Sequence, residues 1–182
     1  MIDLSKGLPN TITVDGEPYL IKTDFREWLK FTKIIEEGDC TLADILFVFE
    51  NEYPMTDFSK EILEFYLNPN NVPNYRGGSE ERVLDYLEDS EYIYASFMAV
   101  YGIDLCDVEL HWWKFKALLL GLPDDSKIKQ IMAMRSYVKS NKNDPDKIAM
   151  ENKRAWGLPT STKDKIDEEE IERELQELFY NC

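Results

Sequence analysis

Apolar residues recur at helical spacing along most of this chain and alternate at strand spacing only near its start. Thr11-Ile12-Thr13-Val14 is a short β-prone run. Asp15-Gly16 offers the left-handed dihedrals of a two-residue turn, and Tyr19-Leu20-Ile21 is placed to pair back. Pro18 has no N–H, so the returning strand belongs at an edge or pairs only beyond it. A lone hairpin is marginal in water, so this one is expected to pack on helices.

From Thr23 onward the period is that of a helix. Thr23 and Asp24 are candidate N-caps, and Asp24 with Glu27 has capping-box spacing. Phe25, Trp28, Leu29, Thr32 and Ile35 share one face, which Phe31 and Ile34 widen, and Gly38 ends the element. Asp39 or Thr41 caps a second helix with Leu42, Ile45, Leu46, Val48 and Phe49 inward, stopped by Pro54. Thr56 or Asp57 opens a third, carrying Phe58, Ile62, Leu63, Tyr66 and Leu67. Residues 68–79 are rich in Asn, Pro and Gly, which is loop chemistry. Further helices are predicted over 80–88, 90–101, 107–120, 125–139 and 145–156, with Gly102 and Gly121 as stops.

Gly157 to Thr162 reads as a linker into a last helix starting near Asp164. There Ile171, Leu175, Leu178 and Phe179 recur at i, i+4, i+7 and i+8, one apolar stripe on an anionic surface. The expectation is a mainly α fold: a helical domain with a small N-terminal β-hairpin over 1–156, a linker over 157–163, and an acidic amphipathic helix over 164–182.

Charge refines this picture. The chain has 182 residues, 36 Asp and Glu against 21 Lys and Arg, and a net charge of −15. Such a surface repels phosphate backbones, so nucleic-acid binding is not expected. The distribution is uneven. Residues 1–126 carry −15, 127–165 carry +6 and 166–182 carry −6. Either these are solvated faces, or the terminal segment docks on the basic one until a partner displaces it. Exposed ion pairs are worth only ~0–1 kcal/mol each, so charge alone would not hold it there. No apolar run reaches the roughly 18 residues of a membrane span, and the first residues lack a signal-peptide pattern. Cys40, Cys106 and Cys182 have neither disulfide-framework nor metal spacing and fit a reducing cytoplasm.

Catalytic chemistry finds little foothold. The single histidine, His111, lies in Leu110-His111-Trp112-Trp113, where a core or interface role is expected. Asp144-x-Asp146 starts like a calcium loop, but Ala149 stands where the turn glycine belongs. Gly77-Gly78 lacks the Lys and Ser/Thr of a phosphate loop. No catalytic residue, cofactor or metal is expected. The aromatics say more: Tyr92, Tyr94, Phe97, Tyr101, Trp112, Trp113 and Phe115 crowd one part of the chain. They form either a dense core or a partner surface, since Trp and Tyr anchor interfaces. Trp112 and Trp113 point about 100° apart on a helix, so burying both takes neighbours on two faces.

That central block resembles a phage family. The stretch Asp89-Ser90-Glu91-Tyr92-Ile93-Tyr94-Ala95-Ser96-Phe97, then Tyr101-Gly102-Ile103-Asp104-Leu105, then Leu110-His111-Trp112-Trp113-Lys114-Phe115 and Leu119-Leu120-Gly121-Leu122, is similar to the "gene product fifteen" family of long-tailed phages and prophages of Gram-positive bacteria. Ile131 and Arg135 fit its next helix, and the resemblance covers most of residues 10–140. The family carries no known catalytic residues. Its genes lie between those of the major tail tube and tape measure proteins, the place of tail assembly chaperones.

The resemblance therefore implies a non-enzymatic tail assembly chaperone in the host cytoplasm. It would bind the tape measure protein, and tail tube subunits as a further client, and would self-associate. The residues expected to meet partners are Ile171, Leu175, Leu178, Phe179, Trp112 and Trp113. A structural virion component and an acidic inhibitor of a host protein are the alternatives. The mixed-sign segment 127–165 argues against the second.

Overall fold

A computed structural model describes residues 5–38, 41–68, 82–138 and 146–158. All of the loop expected over 68–79 except Asn68, most of the expected linker and the terminal stripe Ile171, Leu175, Leu178 and Phe179 lie outside the described residues.

Strand β1 spans Thr11–Val14 and β2 spans Glu17–Leu20, antiparallel, with Thr11 opposite Leu20 and Val14 opposite Glu17. The turn between them forms because Asp15 and Gly16 both take positive φ, 51° and 87°. A two-residue turn makes Val14–Glu17 a hydrogen-bonded pair, so the Thr13–Pro18 pair beside it is not one. Pro18 therefore sits inside β2 without costing a ladder bond. Among the described residues seven α-helices follow: α1 Phe25–Glu37, α2 Leu42–Ile45, α3 Ser59–Leu67, α4 Ser90–Tyr101, α5 Trp112–Leu120, α6 Lys127–Arg135 and α7 Lys147–Ala155. A 3-10 turn, Leu46–Val48, continues α2. The mainly α architecture with one N-terminal hairpin is thus as the periodicity predicts.

The described residues form two compact units. One comprises 5–68 and 109–117, the other 82–108 and 118–158. The first has an aromatic core. Trp28 and Phe31 are fully buried, Phe25 stacks on Phe115 at 4.7 Å, and Trp28 lies 4.7 Å from Phe65. The second is built on Ile93 and Phe97 of α4, Leu119 of α5, and Ile128 and Ile131 of α6, all buried.

Several elements are shorter than their apolar patterns, each for a tertiary reason. The helix expected to run to Pro54 stops at Val48, because Phe49 turns extended and bridges Ile21 of the strand segment. Around that bridge the Lys22 N–H reaches the Val48 carbonyl at 2.8 Å and the Glu50 N–H reaches that of Leu20 at 3.1 Å. The helix expected from 107 starts at Trp112. The Leu110 N–H is given to the Asp24 carboxylate at 3.1 Å, and the Leu110 carbonyl accepts the Phe25 N–H at 2.8 Å. The described part of 80–88 is no helix but an irregular run and a turn. There the Asp85 carboxylate takes the Leu87 and Glu88 N–H groups at 2.7 and 3.0 Å, a side-chain competitor of the helical ladder. α6 spans Lys127–Arg135 rather than 125–139, because Ser126 enters it extended.

The capping box between Asp24 and Glu27 does not form. The Asp24 carboxylate accepts from the Arg26 N–H and from Leu110, and Glu27 pairs with Lys30 at 2.8 Å. Asp24 still caps α1, but the same side chain ties two distant segments together.

Candidate functional site

The first turn of α5 carries the residues singled out by sequence. It is fastened at its entrance by the Trp112 N–H donating to the Thr23 carbonyl at 2.7 Å. His111 stands just before it. Its Nε2 lies 2.9 Å from the Pro9 carbonyl, and its Nδ1 accepts the Trp113 N–H at 3.0 Å. That pairing requires a proton on Nε2 and none on Nδ1, so the ring is neutral and acts as the helix cap. Burial pushes its pKa below 6.5, and the charge of Lys114 adds to this while the bond to Pro9 opposes it. Both ring nitrogens are engaged with backbone groups.

The two tryptophans diverge as their spacing demands and end on consecutive carbonyls. Trp112 is 1% exposed, stacks on Tyr66 at 5.5 Å and donates its indole N–H to the Tyr66 carbonyl at 2.8 Å. Trp113 is half-buried, stacks on Phe65 at 5.2 Å and donates to the Phe65 carbonyl at 2.7 Å. Lys116, one turn on, donates to the carbonyls of Tyr66 and Leu67, and its ammonium lies 5.0 Å from the Trp112 ring. The last carbonyls of a helix have no partner within it. Here three side chains of α5 supply what the end of α3 lacks. The divergence of Trp112 and Trp113 was legible in the sequence; the part of Lys116 and the carbonyl targets were not.

The second unit has a different centre. Asp89, fully buried before α4, meets Arg135 at the end of α6 through two parallel bonds of 2.6 and 2.8 Å. Arg135 also donates to the Val83 carbonyl at 3.1 Å and to that of Trp156 at 2.6 Å. Asp89 accepts the Asp85 N–H at 2.9 Å as well. The Trp156 ring lies 4.2 Å beneath the Lys127 ammonium and 5.8 Å from Tyr92, edge to face. A buried pair is tolerable only when every remaining donor and acceptor is occupied, and this one approaches that state. Nothing in the sequence marked Asp89 as the partner of Arg135.

A model of the family described as Bacteriophage Gp15 protein matches residues 4–156. The chain belongs to the bacteriophage Gp15 family. It is therefore a phage protein, and the family points to a structural or assembly-related one. Searches of curated proteins and of solved structures each find no match.

In this Gp15-family chain the Tyr-Gly-Ile-Asp-Leu stretch is a helix stop. Gly102 closes α4 at φ 66°, a conformation that disfavours any side chain. The Tyr101 hydroxyl donates to the Leu118 carbonyl at 2.9 Å, and the Asp104 carboxylate accepts from the Cys106 N–H and the Tyr94 hydroxyl. The exposed face has other features. A shallow apolar groove of about 360 Å³ in the second unit is lined by Asp124, Gln130, Ala133, Met134, Tyr137, Ala149 and Asn152. Met55 and Ile148 stand 91% and 72% exposed. Among the described residues no three His, Cys, Asp or Glu side chains gather as metal ligands, and no helix is long and apolar enough to cross a membrane.

Proposed function

We propose that this chain is a tail assembly chaperone of long-tailed phages and prophages of Gram-positive bacteria. It binds the tape measure protein during tail morphogenesis, with tail tube subunits as a second client. It works in the host cytoplasm by apolar helix packing, without catalysis or cofactor. The observation that carries this reading is membership of the Gp15 family over residues 4–156, together with the gene position that the resemblance implies. The surface supports it. A net charge of −15 keeps a client-bearing protein soluble, and the exposed Met55 and Ile148 give it apolar contact points. The terminal stripe Ile171, Leu175, Leu178 and Phe179 has the anchor spacing of a helix that lies in a groove.

Co-expression with the neighbouring tape measure protein tests the reading, with and without residues 161–182. Co-purification of the full chain is the expected result. Loss on truncation assigns the contact to the terminal stripe. No capture by either form, with near-stoichiometric amounts in purified particles, replaces the chaperone by a virion component.

A further inference from the structure

Among the described residues α7 is the only α-helix that buries no side chain. Ile148 and Met150 are exposed, and Ala149, Asn152 and Lys153 are half-buried. The ties toward its C-terminal end are mostly polar. The Trp156 carbonyl accepts from Arg135 Nε at 2.6 Å, and Lys153 donates to the Tyr137 carbonyl at 3.1 Å. The Trp156 ring lies beneath the Lys127 ammonium at 4.2 Å and edge to face with Tyr92.

α4 and α6 are held in another way. Ile93 and Phe97 of α4 and Ile128 and Ile131 of α6 are buried, and the buried Asp89–Arg135 pair joins the start of α4 to the end of α6. α7 supplies none of these groups. A helix with few buried apolar contacts opens at low free energy, while core helices stay closed.

The seam between α6 and α7 is also incompletely filled. Ala133, Met134 and Tyr137 stand on one side and Ala149 and Asn152 on the other of the groove of about 360 Å³. The two alanines are small, so neither wall reaches across. Gln130, Ala133, Met134 and Tyr137 follow one another at i, i+3, i+4 and i+7, the spacing of one helical face.

We propose that α7 is a displaceable cover on this face of α6. It lifts while α4 and α6 stay paired, and an amphipathic helix of the client takes its seat. The replacement is a helix because the seat now holds one. It competes because side chains larger than alanine fill the space that Ala149 leaves. Only the open form is competent, so the client's apparent affinity scales with the open fraction. The client rests on the chaperone reading above; the lifting of α7 does not.

The test has two arms, both on the full chain, with Trp156→Ala and Ala149→Leu beside the wild type. The first is hydrogen exchange read by mass spectrometry. α7 exchanges through an opening that leaves α4 and α6 protected. Trp156→Ala removes the ring contacts and speeds α7 exchange about tenfold. Ala149→Leu fills the groove and slows it. The second arm is co-purification with the neighbouring tape measure protein. Trp156→Ala captures more than the wild type and Ala149→Leu less, in step with α7 exchange. Exchange of α7 at the same rate as α4 and α6 overturns the proposal, as does a Trp156→Ala variant that loosens all three alike. Capture that ignores the variants while α7 exchange responds overturns it as well. If no form captures the client, the chaperone reading fails, and exchange alone decides whether α7 lifts.

Discussion

The hairpin unit and the α4–α6–α7 unit solve the same problem with opposite chemistry. In the first, the carbonyls at the end of α3 receive two indole N–H groups and one ammonium, all from α5. The rings that deliver them also stack on Phe65 and Tyr66, so apolar burial and hydrogen bonding come from the same side chains. In the second, one guanidinium collects the Asp89 carboxylate and the carbonyls of Val83 and Trp156. The aromatic arrangement degrades gradually, because each ring retains its packing when one bond goes. The ionic arrangement fails at once, because either partner left alone is a buried charge.

Breaking the ion pair has the largest expected effect. Asp89→Ala leaves the Arg135 guanidinium buried and costs roughly 3–5 kcal/mol. Adding Arg135→Met recovers much of that loss, since an apolar pair carries no desolvation cost. Urea titration gives the magnitude, and hydrogen exchange should show α4 and α6 opening before α1. A double variant as unstable as the single one would mean that the carbonyl contacts of Arg135, not its charge, hold the unit.

Trp112→Phe probes the aromatic side. It keeps the stack on Tyr66 but loses the indole N–H, leaving Lys116 at the same carbonyl, at a cost of about 1–3 kcal/mol. Trp113→Phe should cost less, because Trp113 is only half-buried. Equal losses in thermal melts would contradict the graded picture. Gly102→Ala adds a Cβ at φ 66° with open space around it, so the effect is backbone strain alone, about 1 kcal/mol.

The smallest effect is pH dependence through His111. Its folded pKa lies below the 6.5 of the free side chain, chiefly from burial. The unfolded chain therefore takes the proton first, so this contribution is complete above pH 6.5 and declines as pH falls below it. His111→Asn retains a cap acceptor for the Trp113 N–H and should flatten the slope of stability just below that pH. An unchanged slope would place the titration elsewhere.

Much of the fold was legible from local pattern. The limits of α4, Ser90–Tyr101, its Gly102 stop and the Asp15-Gly16 turn all fall where the residues suggest. The divergence of Trp112 and Trp113 was legible too, as was the need for neighbours on two faces. The partners were not. The Phe65 and Tyr66 carbonyls lie 48 and 46 residues away and belong to the backbone, which carries no sequence signal. Arg135 had 36 acidic residues to choose from, and nothing in the chain's order distinguished Asp89.

What the sequence determined by itself closes within a few residues: turns, caps, helix stops and the amphipathic period. Their free energy is complete over a span of two to four positions, so local chemistry decides them. Tertiary structure alone decided where α5 begins, where the helix after Thr41 stops, and which carboxylate meets the buried guanidinium. Each depends on a backbone or side-chain group brought from far along the chain, as far as the 102 residues between Pro9 and His111. Such a contact exists only after the intervening chain has folded, and its partners compete with the local helical bond rather than announce themselves beside it.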